Sequence, residues 1–444
     1  MCHRPATART ALRPRYGVGH TRFLSGIGAP FRSSHRTQAN GQERHMKHRI
    51  VVLGAGYAGA YVAGNLARRL SPAYTEITVV NAERDFVERM RMHELAAGRD
   101  LKALRLADAF AGTGIRLRVA RVTAVDPGRD VVTVADVDGG GDLRYDTLVF
   151  ALGSHVADHG VPGVAEHAFN IAGRPSALHL REHLKNLRNG ERVLVVGDGL
   201  TGIESAAEIA EARPGLSVAL VARGELGTRL SAGARRHLRQ AFDRLGVTVL
   251  EHTSVEAVEA TRVLCTDGTA LASDATIWAA GFVAGPIAAA SGLEVTENGQ
   301  IVGDRTMRSA SHPNVYAVGD SVCAIGDNGR PLPMSCGSAG FTGRQAIEAI
   351  VGRLTGSKIP NTKLVYTYNY ITLGRRDGML QTVDDEGQPK PTYQGGRTAA
   401  RIKESINRIA LWTVSHPTFG MPRRKHRLAA ALGVPRRDRG HVAA

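Results

Sequence analysis

The chain has 444 residues, enough for about three domains and a sizeable core. Its 43% hydrophobic and 22% charged residues are ordinary globular usage and exclude a largely disordered chain, while 51 Gly point to many close backbone approaches. The formal charge of +16 suggests nucleic acid or an anionic membrane as partner, but residues 1–46 carry +7 and residues 421–444 carry +6, so the 374 residues between hold only +3 and show no nucleic-acid signature.

Residues 1–46 have eight Arg, one acid and no sustained helical or strand period, and read as a disordered leader. A transit peptide would have this composition, but Met46 stands directly before a basic residue and the first apolar strand. Arg outnumbers Lys 49 to 8, the bias of a GC-rich genome, and a start at Met46 is the favoured reading. Cys2, Cys265, Cys323 and Cys336 form no CxxC or CxxxxC pair. Neither a disulfide framework nor a metal site is expected, and a reducing, cytoplasmic compartment fits. The longest uncharged apolar stretch, Ile277 to Leu293, is broken by Gly281, Gly285, Pro286 and Gly292 and reads as a strand and loop, not a membrane span.

Ile50-Val-Val-Leu53 reads as a buried parallel strand that runs into Gly54-Ala-Gly56-Tyr57-Ala58-Gly59, a helix to Leu70 and a second strand, Glu76 to Asn81. This is GxGxxG in strand–turn–helix–strand context. Gly54 makes the turn, Gly56 lets backbone meet a pyrophosphate, and Gly59 lets helix pack on strand. The unit recurs as Arg192 to Val196, then Gly197-Asp-Gly199-Leu-Thr-Gly202-Ile-Glu204, a helix through Ala212 and a strand to Val221. Two further segments match each other, Asp146 to Gly153 and Asp274 to Gly281, each an apolar strand ending in Ala-x-Gly (Ala151, Gly153; Ala279, Gly281). Each follows a stretch read as a β-meander, 115–145 and 247–273. Asn314 to Asp320 places an acid at a strand end just after Gly319.

This order of motifs, over residues 47–350, resembles the two-dinucleotide-binding-domain flavoprotein reductases of the pyridine nucleotide–disulfide oxidoreductase superfamily, and within it the type II NADH dehydrogenases and their actinobacterial relatives. The resemblance implies an α/β fold with two Rossmann-like dinucleotide-binding domains, for FAD and NAD(P)H, the second inserted in the first, plus a C-terminal interface region. The expected boundaries are 1–46 leader, 47–157 first part of the FAD domain, 158–299 NAD(P)H domain, 300–350 second part of the FAD domain, 351–420 interface region and 421–444 basic tail. By the same resemblance Gly54, Gly56, Tyr57, Ala58, Gly59, Asn81, Arg89, Ala151, Gly153, Gly319 and Asp320 contact FAD, and Gly197, Gly199, Gly202, Arg223, Ala280 and Gly281 contact the nicotinamide nucleotide. The implied chemistry is hydride transfer to the flavin and reoxidation by a second substrate. Glu204, taken to lie in the first turn of its helix, is the candidate catalytic group that orients or handles a proton; the competing reading is a carboxylate merely favoured at a helix N-terminus.

Departures from the family pattern carry information. Asn81 stands where an acid usually holds the adenosine ribose, with Glu83 as a nearby substitute. Ala222-Arg223 replaces the acid of NADH-using members, which tilts the reading to NADPH, against the alternative that Arg223 is a solvated surface residue. The quinone-side glutamines are absent from Cys336 to Gly343, where Phe341 and Thr342 stand, in a segment read as a helix N-terminus near the flavin. Disulfide-reductase chemistry is excluded, and Cys323 and Cys336 read as inert thiols. Arg89 and His93, four apart, share a face if their segment is helical. Ala399 to Trp412 reads as an amphipathic helix with Ala399, Ile402, Ile406 and Ile409 on one face and Arg401, Lys403 and Arg408 elsewhere, a candidate for membrane-surface attachment or for docking on its own domain. The leading function is an FAD-containing NAD(P)H dehydrogenase reducing a quinone-like acceptor. The alternatives are a reductase of a small redox protein such as a ferredoxin, or a non-catalytic flavoprotein with a lipid- or nucleic-acid-binding tail. A homodimer is left open.

Overall fold

A computed structural model describes residues 46–384, 386–419, 426, 428 and 429. The leader and most of the basic tail lie outside the described residues.

The first apolar run forms β1 (His48–Leu53), followed by α1 (Tyr57–Arg69), β2 (Thr75–Asn81), the short α2 (Met92–Ala96), β3 (Ile115–Val119) and β4 (Thr147–Phe150). The strands pair in parallel, with Ile50 opposite Ile77 and Thr147, and Ile77 opposite Ile115. Strands covered on both faces need continuous apolar runs, which β1 and β4 supply, whereas β3, at the sheet edge, alternates Ile115, Leu117 and Val119 with Arg116 and Arg118. The antiparallel meander occupies 121–144. It is shorter than expected because Ile115–Val119 joins the parallel sheet instead.

The arrangement then repeats. β5 (Ala168–Phe169), β6 (Arg192–Val196), β7 (Ser217–Val221), β8 (Thr248–Leu250) and β9 (Ala275–Trp278) form a second parallel sheet in the order β5-β9-β6-β7-β8. It carries α3 (Arg174–Asn186), α4 (Leu200–Ala212) and α5 (Ala232–Leu245), and a meander over 255–272 lies in sequence between β8 and β9. Here too the first strand of the expected meander belongs to the parallel sheet. This whole sheet lies, in sequence, between β4 and β10 (Val315–Ala317), which returns to complete the first sheet as β10-β4-β1-β2-β3. An antiparallel ribbon, Ser154–Val156 with Phe282–Ala284, joins the two halves just beyond each Ala-x-Gly segment. α2 is a second tie: Met92, Leu95 and Ala96 pack into the core of the second half, with Leu180 and Ile203.

α6 (Cys336–Thr355) starts at Ser335, whose hydroxyl accepts the Ser338 N–H at 3.2 Å. The C-terminal region is an antiparallel sheet of β11 (Tyr368–Thr372), β12 (Gly378–Val383) and β13 (Pro389–Gly395), then α7 (Gly396–Ser415). α7 exists as expected, but with a different inner face. Its buried stripe is Ala399, Ala400, Lys403, Asn407 and Val414, whereas Ile409 is 61% exposed. Lys403 is therefore not on the polar side. The helix buries it because an acceptor carbonyl and a carboxylate await it there, which offsets the cost of removing an ammonium from water.

Candidate active site

Both glycine loops follow the same steric logic. Gly54 has φ +93° and Gly197 has φ +114°, a region that favours glycine, and a Cβ on either would collide with a carbonyl of the neighbouring strand end, Ala151 or Ala279. A Cβ on Gly59 or Gly202 would collide with the carbonyl of Gly54 or Gly197. The middle glycines differ. Gly56 (φ −68°) and Gly199 (φ −69°) have backbone angles open to any residue, and a Cβ on either would meet nothing within 4 Å. Neither local conformation nor protein packing requires glycine there. Each of these glycines caps a 13-residue helix whose first turn has no side-chain cap and no acid, so free N–H groups and the positive end of the helix face the same space. This geometry fits a dinucleotide pyrophosphate at each loop.

A second cluster gathers beside the first loop. Ser154 donates to Asp320 (Oγ···Oδ2 2.6 Å), and Arg89 reaches Ser154 Oγ with both terminal nitrogens at 3.3 Å and Asp320 at 3.7 Å. Ser321 accepts the Gly153 N–H at 3.0 Å, and the Arg89 guanidinium lies 5.5 Å from the centre of the Phe282 ring. Gly319 adopts φ +64° and donates its N–H to Thr342 Oγ1 at 2.9 Å. Thr342 in turn donates to the Ser338 carbonyl at 2.8 Å and is buried. Its hydroxyl thus holds the end of β10 to the start of α6. Arg89, Gly153, Gly319 and Asp320 are brought together, with Ala58 against Gly319. Tyr57 packs edge-to-face on Phe86, with centroids 4.9 Å apart.

Asn81 sits at the end of β2, as expected, and each polar atom of its amide makes one bond within the protein. Oδ1 accepts the Ala55 N–H and Nδ2 donates to the Glu83 carbonyl, each at 2.8 Å. It braces the loop. A cleft of about 1130 Å³ opens beside it, lined by Glu83, Arg118, Ala120 and Arg174 among others.

Glu204 is buried and lies in the second turn of α4, not the first. Its Oε1 accepts the backbone N–H of Thr372 at 2.8 Å and the Thr372 hydroxyl at 2.9 Å, and Lys403 Nζ lies 3.4 Å away. Lys403 also donates to the Tyr370 carbonyl at 3.2 Å. Burial opposes the charge on Glu204, yet Lys403, His93 and the two Thr372 donors outweigh it and hold this carboxyl below its usual range. The reading of Glu204 as a mere helix-terminus carboxylate does not match this setting. Its neighbour Glu208 moves the other way, raised by burial.

Arg89 and His93 do not share a helix face. Arg89 lies in a 3₁₀ turn, Arg89–Arg91, and turns to Asp320, whereas His93, in α2, is buried near Thr372 (Nε2···Oγ1 3.5 Å). Arg223 is exposed just beyond β7, with Ala222 buried before it. Ala280 and Gly281 lie at the second Ala-x-Gly end, where the Ala280 carbonyl contacts His159 Nε2 at 2.8 Å. Cys265 and Cys323 are free, and burial raises both thiols; Cys336 is free at the start of α6. Thr372 and Ser154 are absent from the residues picked out by sequence, and Lys403 and Thr342 are named there without these contacts. Lys403 carried a readable signal, a lysine in phase with Ala399 and Asn407 on the helix. Thr372 and Ser154, ordinary hydroxyl residues, carried none.

Two parallel-sheet nucleotide units with open-faced central glycines, joined by a ribbon at the Ala-x-Gly ends, define a two-domain dinucleotide-dependent oxidoreductase. The chain belongs to the pyridine nucleotide-disulphide oxidoreductase family, whose pattern matches residues 48–343. It is 32% identical over 387 residues to an NADH dehydrogenase-like protein of Mycobacterium tuberculosis, covering 81% of this chain and 93% of that one. It is 27% identical over 402 residues to the type II NADH:quinone oxidoreductase of Staphylococcus aureus, covering 83% and 96%. NDH2 of Plasmodium falciparum, solved with NADH, superposes with a TM-score of 0.70 at 15% identity over 84% of this chain and 97% of that one, a likeness of fold. The protein is an FAD-dependent NAD(P)H oxidoreductase.

Proposed function

We propose that this oxidoreductase is an NAD(P)H dehydrogenase that reduces a quinone-like acceptor, with FAD at the first loop and the nicotinamide nucleotide at the second. The observation that carries the assignment of the two sites is the pair of middle glycines, Gly56 and Gly199, which nothing within the chain requires. Gly54, Gly59, Asn81 and Ala151 shape the first loop, and Tyr57 and Ala58 follow it into α1. Arg89, Gly153, Gly319 and Asp320 form the polar wall on the flavin side. Gly197, Gly202, Ala280 and Gly281 shape the second site. FAD, when bound, supplies the hydride acceptor and the electron relay.

The chain's own contribution is positional and electrostatic. The Arg89–Ser154–Asp320 group offers fixed donors and acceptors. The positive end of α6 favours added negative charge beside it. Glu204, ionised and held by Lys403 and Thr372, is equipped to accept a proton or a hydrogen bond rather than to donate a proton.

For the nucleotide we infer a preference for NADPH. Arg223 is exposed at the strand end with no ion pair among the described residues, and the nearby acids Glu225 and Glu251 are held by Arg235 and Arg239. A 2′-phosphate would meet a free guanidinium and no free acid in that loop. NADPH should reduce the flavin faster than NADH, and Arg223→Ala should remove that advantage while leaving NADH unchanged. Equal or faster reduction by NADH in the wild type contradicts the preference.

A quinone is favoured over a water-borne acceptor by α7. One side of this helix carries Lys403 to Glu204, and the other shows Ile409, Trp412 and Phe419 just beyond it to solvent, beside Arg401 and Arg408, as a membrane-surface helix would. No helix among the described residues is long and apolar enough to cross a membrane. A small redox protein is the second reading, favoured by Thr342, whose hydroxyl faces the core and offers nothing to a quinone. Reoxidation of the reduced protein by a menaquinone analogue and not by ferredoxin is the expected result; the reverse would replace the first reading with the second.

A further inference from the structure

The chain segment that brings Arg89 to Asp320 also carries a buried charge cluster with no part in the reaction described above. Glu88, 6% exposed, has its Oε2 buried without a hydrogen-bond partner. Arg91 Nη1 stands 3.7 Å from it. Arg91, however, is turned to Glu94, with three hydrogen bonds of 3.0–3.2 Å, and to Glu404 of α7 at 3.5 Å. Arg99 meets Glu94 at 2.6 Å and Glu404 at 3.8 Å. Glu404 is also met by Arg408 of its own helix at 3.0 Å, so Glu94 and Glu404 are both held by guanidinium groups at 3.0 Å or less and Glu88 is the carboxylate left short. The groups facing it are Arg91, Glu94 of α2, Glu404 of α7 and, from the first nucleotide loop, the Tyr57 phenol, which burial keeps neutral. Burial first, then the charges of Glu94 and Glu404, raise Glu88 above the usual carboxylate range against the pull of Arg91. The side chains of Arg99 and Glu404 are 36% and 28% exposed, so the cluster has a solvent side.

We propose that Glu88 takes up a proton from solvent when the flavin beside it is reduced and gives it back on reoxidation, a role that rests on FAD occupying the first loop. A hydride brings two electrons and one proton to the flavin and leaves the site one unit more negative. One proton moving from water to Glu88 Oε2 cancels that charge, and both changes reverse when the acceptor removes the electrons. Glu88 is placed for this because it is next to Arg89 in the chain and beside Tyr57 of the loop, and because an under-paired buried carboxylate responds most to added negative charge. It is a positioning residue, since it acts through the field and not by contact.

The test is the pH dependence of the flavin reduction potential of the holoprotein, measured with mediators across neutral pH and without any nicotinamide nucleotide. The slope counts protons per two electrons. The wild type is expected to take two and Glu88→Gln, neutral and of equal size, one. A count of one in the wild type overturns the proposal, and so does a count of two in both. Glu404→Gln, on the solvent side, provides a check should the first variant not fold: with one like charge fewer, the second proton should be lost at lower pH, and an unmoved profile overturns the proposal. A protein that binds no flavin would overturn the FAD assignment instead, which is a separate outcome.

Discussion

At the residue scale the most informative positions are those where the chain has no use for its own residue. Gly56 and Gly199 sit in ordinary backbone angles against open space, while Gly59 and Gly202, three residues on, press against backbone oxygens. Substitution should separate the two kinds. Gly56→Ala should cost the flavin-free protein no more than about 1 kcal/mol, the scale of a lost helix cap, and weaken FAD retention by roughly tenfold or more, the scale of overpacking at about 1–3 kcal/mol. Gly199→Ala should do the same to nucleotide affinity. Gly59→Ala should destabilise the fold itself. Flavin content and thermal unfolding of the three variants check this directly.

Glu204 and Lys403 form the second residue-scale case. Lys403→Met strands a buried carboxylate and should cost about 3–5 kcal/mol near neutral pH. Because the folded-state carboxyl is held below its usual range, the stability it contributes is present above the usual glutamate range and is lost as pH falls through the folded value. The difference between wild type and Lys403→Met should therefore narrow in acid. A gap that stays constant down to low pH would show that the pair contributes packing and not charge.

At the element scale, the strands, both nucleotide helices and the two meanders were legible in the sequence because each follows a strong local rule: continuous apolar runs, glycine spacing, polar turns. The errors have one cause. Periodicity reports which residues are alike, not which face another element covers. Ile115–Val119 and Thr248–Leu250 read as meander strands yet extend the parallel sheets. The isoleucines of α7 read as its apolar face, for a membrane surface or for its own domain, yet the helix turns Lys403 and Asn407 inward because a distant partner, Glu204, satisfies the lysine. Asn81 was legible as a position, while the bond it accepts from a loop N–H is one that spacing does not reveal. The outward face of α7 carries its own prediction. Ile409→Ser with Trp412→Ser should leave unfolding unchanged and abolish binding to anionic vesicles, and unchanged vesicle binding would rule out this helix as the attachment surface.

At the scale of the whole molecule, the charge of +16 resolves into two ends and a nearly neutral catalytic body. That body is two copies of one plan, each with its glycine loop, joined by the 154–156 and 282–284 ribbon and by α2, so that parts distant in sequence meet around one site. Glu204 comes from the second half, Asp320 from the returning part of the first and Lys403 from the C-terminal helix. This convergence is what a sequence of local motifs hides. The most direct measurement is anaerobic addition of NADPH to the purified protein. A visible flavin band that bleaches, with about one nucleotide consumed per flavin, is the predicted result. No flavin band, or a band that neither NADPH nor NADH bleaches, would contradict the account.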